Sequence, residues 1–123
     1  MDCLFCKIIN GDIPSYKIYE DDIVLCFLDI NPDSNGHTLL IPKKHYLDID
    51  DIPLDTLTHI FKIAKKLKLK LEEKLQCDGV TFVQNNGQIQ EVKHFHLHLK
   101  PYYKNNDIKD VKEIYEILNG HLS

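Results

Sequence analysis

The stretch His94-Phe95-His96-Leu97-His98-Leu99 alternates three histidines with three apolar residues. Successive side chains of an extended strand point to opposite faces. The alternation therefore predicts a strand with His94, His96 and His98 on one face and Phe95, Leu97 and Leu99 on the other. Neighbouring imidazoles would stand roughly 6.5–7 Å apart along it. A helix would scatter the three histidines around its circumference. One face of such a strand suits a core. The other is a row of groups that titrate near neutral pH. Such a row has three uses: it binds zinc, it divides labour between a nucleophile, an orienting group and an acid, or it is a polar face turned to solvent.

The pattern before this row predicts a mixed architecture. Leu4, Phe5, Ile8 and Ile9 fall at near-helical spacing, stopped by Asn10-Gly11. Tyr16 to Glu20 reads as a strand, and Asp21-Asp22 as a turn. Ile23 to Leu28 is a continuous apolar run that fits a strand buried on both faces. The loop Asn31 to Gly36 follows, then a strand over His37 to Ile41 stopped by Pro42. From Leu54 to Gln76 the period becomes helical, with Leu54, Leu57, Ile60, Phe61, Ala64, Leu67, Leu71 and Leu75 as the apolar stripe. Lys62, Lys65, Lys66, Lys68, Lys70 and Lys74 lie opposite, as a solvated face. Val80 to Gln84 reads as a strand and Asn85-Asn86-Gly87 as a turn. The histidine strand is predicted from about Val92 to Tyr102. Asn106-Asp107 is expected to cap a last helix carrying Ile108, Val111, Ile114, Tyr115 and Leu118, with Gly120 as its stop. The fold class is thus α+β: a single domain over 1–123 with a mostly antiparallel sheet of about five strands, one long central helix and a C-terminal helix.

Two further groups carry chemistry. Cys3-x-x-Cys6 is half of a tetrahedral zinc site, and His45 and one histidine of the row are available as the other half. The alternatives are an inert reduced pair and a redox pair, although the motif does not follow a strand and open a long helix. Asn85, Asn86, Gln88 and Gln90 lead into the histidines, and amides there suit phosphate oxygens. Asp29, at the end of an apolar strand, suits the two hydroxyls of a ribose or a simple turn.

Composition limits the partners. The 123 residues include 15 basic and 19 acidic side chains, a formal charge of −4, which argues against a nucleic-acid binder. No apolar run approaches the ~20 residues of a membrane span. Met1-Asp2-Cys3-Leu4-Phe5 lacks the regions of a signal peptide, so the expected location is cytoplasmic, away from membranes.

With these residues in place, the chain resembles the histidine-triad (HIT) family, in its Hint-like branch and especially the bacterial type. The family signature, His-x-His-x-His-x-x with apolar x, stands here as His94-Phe95-His96-Leu97-His98-Leu99-Lys100, with Lys100 departing at the last position. Phe5-Cys6-Lys7-Ile8-Ile9, Tyr19-Glu20-Asp21-Asp22, Phe27-Leu28-Asp29-Ile30, Gly36-His37-Thr38-Leu39 and Ile41-Pro42-Lys43-Lys44-His45 extend the similarity over roughly residues 3–101.

The resemblance implies a homodimeric hydrolase or transferase acting at the α-phosphate of purine nucleoside phosphoramidates or nucleotidyl conjugates. Its nucleophile would be His96, forming a covalent nucleotidyl-histidine. His98 would serve the phosphate, and His37 would steady the triad from a neighbouring strand. Asn85 matches a phosphate-binding asparagine, Gln90 a nucleotide-site glutamine in the loop before the triad, and Asp29 the ribose carboxylate. Leu4, Phe5, Ile8, Phe27, Ile30 and Leu39 match the apolar base pocket. Cys3, Cys6, His45 and His94 match a structural zinc site. Glu91 stands where the branch often has a serine that can protonate an amine leaving group. The alternative is a nucleotide-binding or scaffold protein without enzymatic activity.

Overall fold

The computed structural model describes residues 3–118. It is an α+β fold with helices α1 (Leu4–Ile9), α2 (Leu54–Leu75) and α3 (Val111–Leu118), and strands β1 (Lys17–Glu20), β2 (Val24–Leu28), β3 (Thr38–Pro42), β4 (Gly79–Gln84) and β5 (Leu97–Tyr102). The strands form one sheet in the order β1-β2-β3-β5-β4, and every neighbouring pair is antiparallel. Among the described residues, no helix is long and apolar enough to cross a membrane.

The sheet is covered on both faces, which explains the continuous apolar run of β2. Val24, Cys26 and Leu28 point towards α2, in a core completed by Leu40, Leu97 and Leu99 of the sheet and Ile60, Ala64, Leu67 and Leu71 of the helix. Leu25 and Phe27 point the other way, where Phe5 and Ile8 of α1 meet them together with Leu39 and Ile41. The period of two in each strand thus sorts side chains between two helical layers. The histidines fall on the α1 side, and Phe95, Leu97 and Leu99 on the α2 side.

Three expectations need correction. Leu54 and Phe61 of α2 lie outside the core, at 79% and 41% exposure, whereas Ile63 is buried. The last helix begins at Val111, and Asp110, not Asn106-Asp107, accepts the first-turn bond through its Oδ1 from the Lys112 N–H at 2.9 Å. Asn35 holds the preceding loop instead, donating to the Asp107 carbonyl at 2.9 Å and accepting from the Lys109 N–H at 2.8 Å. Ile108 is left 47% exposed, and Gly120 lies outside the described residues.

The third correction concerns the histidine strand, whose regular pairing starts only at Leu97. Leu97 pairs with Gln84, where β4 ends, and with Leu40 of β3, which continues to Pro42 without pairing further with this segment. Upstream, the Phe95 N–H turns to the Tyr46 carbonyl at 2.7 Å. His94 and His96 therefore stand on an irregular lead-in, where the His94 N–H donates to the Val92 carbonyl at 2.9 Å and no strand pairing claims the His94 carbonyl.

One glycine is sterically required. Gly36 has φ +88°, and a Cβ there would sit 2.5 Å from Leu75 Cδ1 at the end of α2. Its left-handed turn leads the chain under α2 and directly into His37 and β3.

Candidate active site and metal centre

A cavity of about 220 Å³ opens between α1, strands β2 and β3 and the histidines. Phe5, Ile8, Phe27 and Leu39 form its apolar floor, with Leu4 and Ile30 at the rim and Asp29, His96 and His98 on the polar side. All nine were singled out from the sequence. Phe5 links the floor to the chemistry: its ring stands edge-on to Phe27 at 5.7 Å, to His94 at 5.9 Å and to His96 at 5.1 Å.

Asn85 and Gln90 are placed elsewhere. Asn85 is half-buried after β4 and does not line the cavity. Gln90 is buried and turned away: its Nε2 donates to the Leu47 carbonyl at 2.6 Å, tying the loop before the histidines to the loop before α2. Ile13, Pro14, Ser15, Asn31 and Val92 line the cavity without having been picked out. The proline-restricted approach to β1 was the available signal for the first three.

Backbone groups fix the state of each histidine. His96 Nδ1 donates to the His94 carbonyl at 2.8 Å, so the neutral ring keeps a lone pair on Nε2. The Asp33 N–H donates to His37 Nδ1 at 3.1 Å, which leaves the proton of neutral His37 on Nε2. That Nε2–H donates to His98 Nδ1 at 2.9 Å, and His98 in turn carries its proton on Nε2. The outcome is one ring with a free lone pair beside one with a free N–H. Their centroids are 4.9 Å apart, closer than the strand repeat because the rings tilt together.

Burial favours the uncharged rings throughout. It lowers His96 and His37 below the usual histidine range. Burial, helped by the His96 and His37 imidazoles, holds His98 at about 4. The group Asp29, His37 and His98 also lies close enough to hold a metal ion, with Asp29 Oδ2 3.7 Å from His37 Nε2. Its ring nitrogens, however, are already joined in the hydrogen-bonded chain from Asp33.

The row divides at its first member. His94 turns to Cys3, Cys6 and His45, and the four ligand atoms all lie within 4.8 Å of one another. His94 Nδ1 is 3.2 Å from Cys3 Sγ and 3.6 Å from Cys6 Sγ, and His45 Nδ1 is 3.4 Å from Cys6 Sγ. Tetrahedral zinc with ordinary Zn–S and Zn–N bonds separates S and N by about 3.5 Å. The His94 Nε2–H donates to the Pro42 carbonyl at 2.8 Å, aiming the Nδ1 lone pair into the cluster. Burial, opposed by that bond and helped by the His45 and His96 imidazoles, holds His94 at about 4, neutral as a ligand must be. Burial and the Cys3 thiol beside it push the Cys6 thiol up to about 11, a crowding that a cation in the cluster would relieve. The donor set fits a closed Cys₂His₂ zinc site. Cys3 Sγ also caps α1, accepting from the Cys6 N–H at 3.2 Å.

The HIT domain model matches residues 10–105. The chain is 51% identical over 104 residues to an uncharacterized HIT-like protein of Methanocaldococcus jannaschii, covering 83% of this chain and 80% of that one. It is 46% identical over 101 residues to an adenosine 5'-monophosphoramidase of Saccharomyces cerevisiae, covering 80% of this chain and 61% of the relative. Among solved structures, a zinc-bound histidine triad family protein from Mycobacterium smegmatis superposes with a TM-score of 0.90 at 35% identity, covering 99% of this chain and 94% of that one. Sequence match and fold agree: the chain belongs to the HIT domain family.

Proposed function

We propose that the protein hydrolyses purine nucleoside phosphoramidates or nucleotidyl conjugates at the α-phosphate, through a covalent intermediate on His96. The observation that carries this reading is the bond from His96 Nδ1 to the His94 carbonyl, which leaves Nε2 as a neutral nucleophile on an apolar-floored cavity. The monophosphoramidase relative agrees with the reaction class.

In this reading the base lies against Phe5, Ile8, Phe27 and Leu39, and Asp29 accepts from the ribose hydroxyls. His96 Nε2 attacks phosphorus, and the bond to the leaving group breaks with its electron pair on that group. The Nε2–H of His98 bonds a phosphoryl oxygen as charge develops there. Water then cleaves the P–N bond to His96, releasing the nucleotide and restoring the ring. Cys3, Cys6, His45 and His94 would hold zinc. When bound, zinc supplies a structural tie between α1 and the triad segment.

We further infer that two copies pair through β4. This edge strand, Gly79–Gln84, has no charged residue, whereas the other edge, β1, carries Lys17 and Glu20. Unpaired edges are normally protected by charge. Phe61 and Phe82, with ring centroids 6.3 Å apart, extend the uncharged surface onto α2.

The test is a base-quenched single turnover with adenosine 5'-phosphoramidate, read by intact mass. One acid-labile nucleotidyl adduct is expected on the native chain and none on His96→Ala. Native-rate turnover by His96→Ala would overturn the mechanism.

A further inference from the structure

The cavity wall holds two carboxylates, Asp29 and Glu91, and among the described residues neither lysine nor arginine lines it. The sequence contains no arginine at all. Two lysines come near. Lys100 is paired with Asp33 at 2.8 Å, and Lys93 donates to the Gly87 carbonyl at 2.7 Å. Asp29 is engaged, accepting the Asn31 N–H on Oδ1 at 2.9 Å with Oδ2 facing His37. Glu91 is not: among the described residues its carboxylate has neither a hydrogen bond nor an ion pair, and the residue is exposed.

The position of Glu91 is informative. It lines the cavity with His96 and His98, and with Leu4, Val92 and Lys93 it also lines an adjoining open groove that continues past Cys3, His45 and Leu47. Its negative charge acts on the His96 ring. A substrate whose base fills the apolar floor and whose phosphorus meets His96 can extend a bulky group beyond phosphorus into this groove. Glu91 stands at the junction.

We propose that Glu91 is a specificity-determining residue that selects leaving groups departing as amines over leaving groups departing as anions. The proposal rests on the hydrolase reading above and deepens it. In a phosphoramidate, the bridging nitrogen takes a proton from water at the open rim. The P–N bond then breaks with its electron pair on nitrogen while the bond from His96 Nε2 to phosphorus forms, and a neutral amine leaves. Positive charge on nitrogen precedes bond breaking, and an unpartnered carboxylate stabilises it. A sulfate or phosphate leaving group instead carries growing negative charge past Glu91, and the Lys93 ammonium that lines the groove is turned to the Gly87 carbonyl. A cationic tail on the amine gains further from the same carboxylate.

The experiment compares kcat/KM for two adenosine 5'-phosphoryl substrates, the phosphoramidate of an aliphatic diamine and the mixed anhydride with sulfate, in the native chain, Glu91→Gln and Glu91→Lys. The ratio of amine to sulfate substrate should fall about three- to fivefold in Glu91→Gln and further in Glu91→Lys, as expected for an exposed charge. The difference should shrink at high salt. Thermal melting and inhibition by adenosine, which has no leaving group, report on the fold and the base pocket. A ratio within twofold of native in Glu91→Gln, with turnover of both substrates intact, overturns this proposal and leaves the hydrolase reading standing. A native chain that turns over neither substrate overturns both.

Discussion

The His94 carbonyl oxygen accepts from His96 Nδ1 at 2.8 Å, so the residue whose ring joins the thiol cluster also sets the tautomer of its neighbour two positions on. The regular strand begins only at Leu97, which leaves that carbonyl free for the ring. The late start of β5 is therefore part of how the site is built.

The first prediction concerns pH. Burial lowers His96 and His37 and holds His98 at about 4, so the ground-state rings are neutral at pH 7. The acid limb of kcat/KM should fall below pH 6.5, the ordinary histidine value. Stability follows the same sign. Below pH 6.5 the unfolded chain takes up protons that the folded His98 refuses until about 4, so stability is full above that window and declines as pH falls through it. A pH–rate profile with an acid limb at or above 6.5 would contradict the assignment.

The second concerns metal. Protein purified without chelator should contain about one zinc per chain. Cys6→Ser should lower that content and the melting temperature. It should also raise KM more than it lowers kcat, because α1 carries Phe5 and Ile8 of the cavity floor as well as the ligand. Elemental analysis and kinetics on the same samples decide it; metal-free native protein would refute it.

Much of this site was legible because alternation and spacing report which face a side chain takes. The period of two separated His96 and His98 from Phe95, Leu97 and Leu99, and the Cys3-x-x-Cys6 spacing anticipated the sulfur half of the cluster. Less visible were features set by distant partners. β5 starts where β4 ends, at the Gln84–Leu97 pair, and upstream the Phe95 N–H goes to the Tyr46 carbonyl instead of a neighbouring strand. Gln90 looked like a phosphate ligand by its place before the histidines, yet the Leu47 carbonyl captures its amide. The first turn of α3 uses Asp110 because Asn35, 72 residues from Asp107, already holds the loop that Asn106-Asp107 was expected to cap.

The third prediction tests the turn ahead of His37. Gly36→Ala adds a Cβ at φ +88°, 2.5 Å from Leu75 Cδ1. The added strain should cost about 1–3 kcal/mol in denaturant unfolding. An unchanged midpoint would mean that the end of α2 moves aside freely.

The fourth tests the neutral edge. Thr81 is exposed on β4 and lies opposite Lys100 of β5. Thr81→Glu therefore suits its own sheet while placing charge along the edge that a second copy would approach. Sedimentation at micromolar concentration should show a dimer for the native chain and a monomer for the variant. A native monomer, or an unaffected dimer, would reject pairing through β4.

The last concerns the relay from Asp33 through His37 to His98. His37 is only 3% exposed and contributes a proton on Nε2, held there by the Asp33 N–H on Nδ1. His37→Phe keeps a ring in the space but removes the donor. His98 then loses the contact that keeps its own proton on Nε2, where the phosphoryl oxygen needs it. Removing an orienting partner of this kind costs about 10- to 100-fold, and the loss should appear in kcat with KM little changed. His37→Gln restores an N–H that can reach His98 and should recover part of the rate. Packing damage alone would not distinguish the two variants in this direction, because Phe fills the site better than Gln. Equal rates in the two variants would therefore remove His37 from the mechanism and leave it as a packing residue.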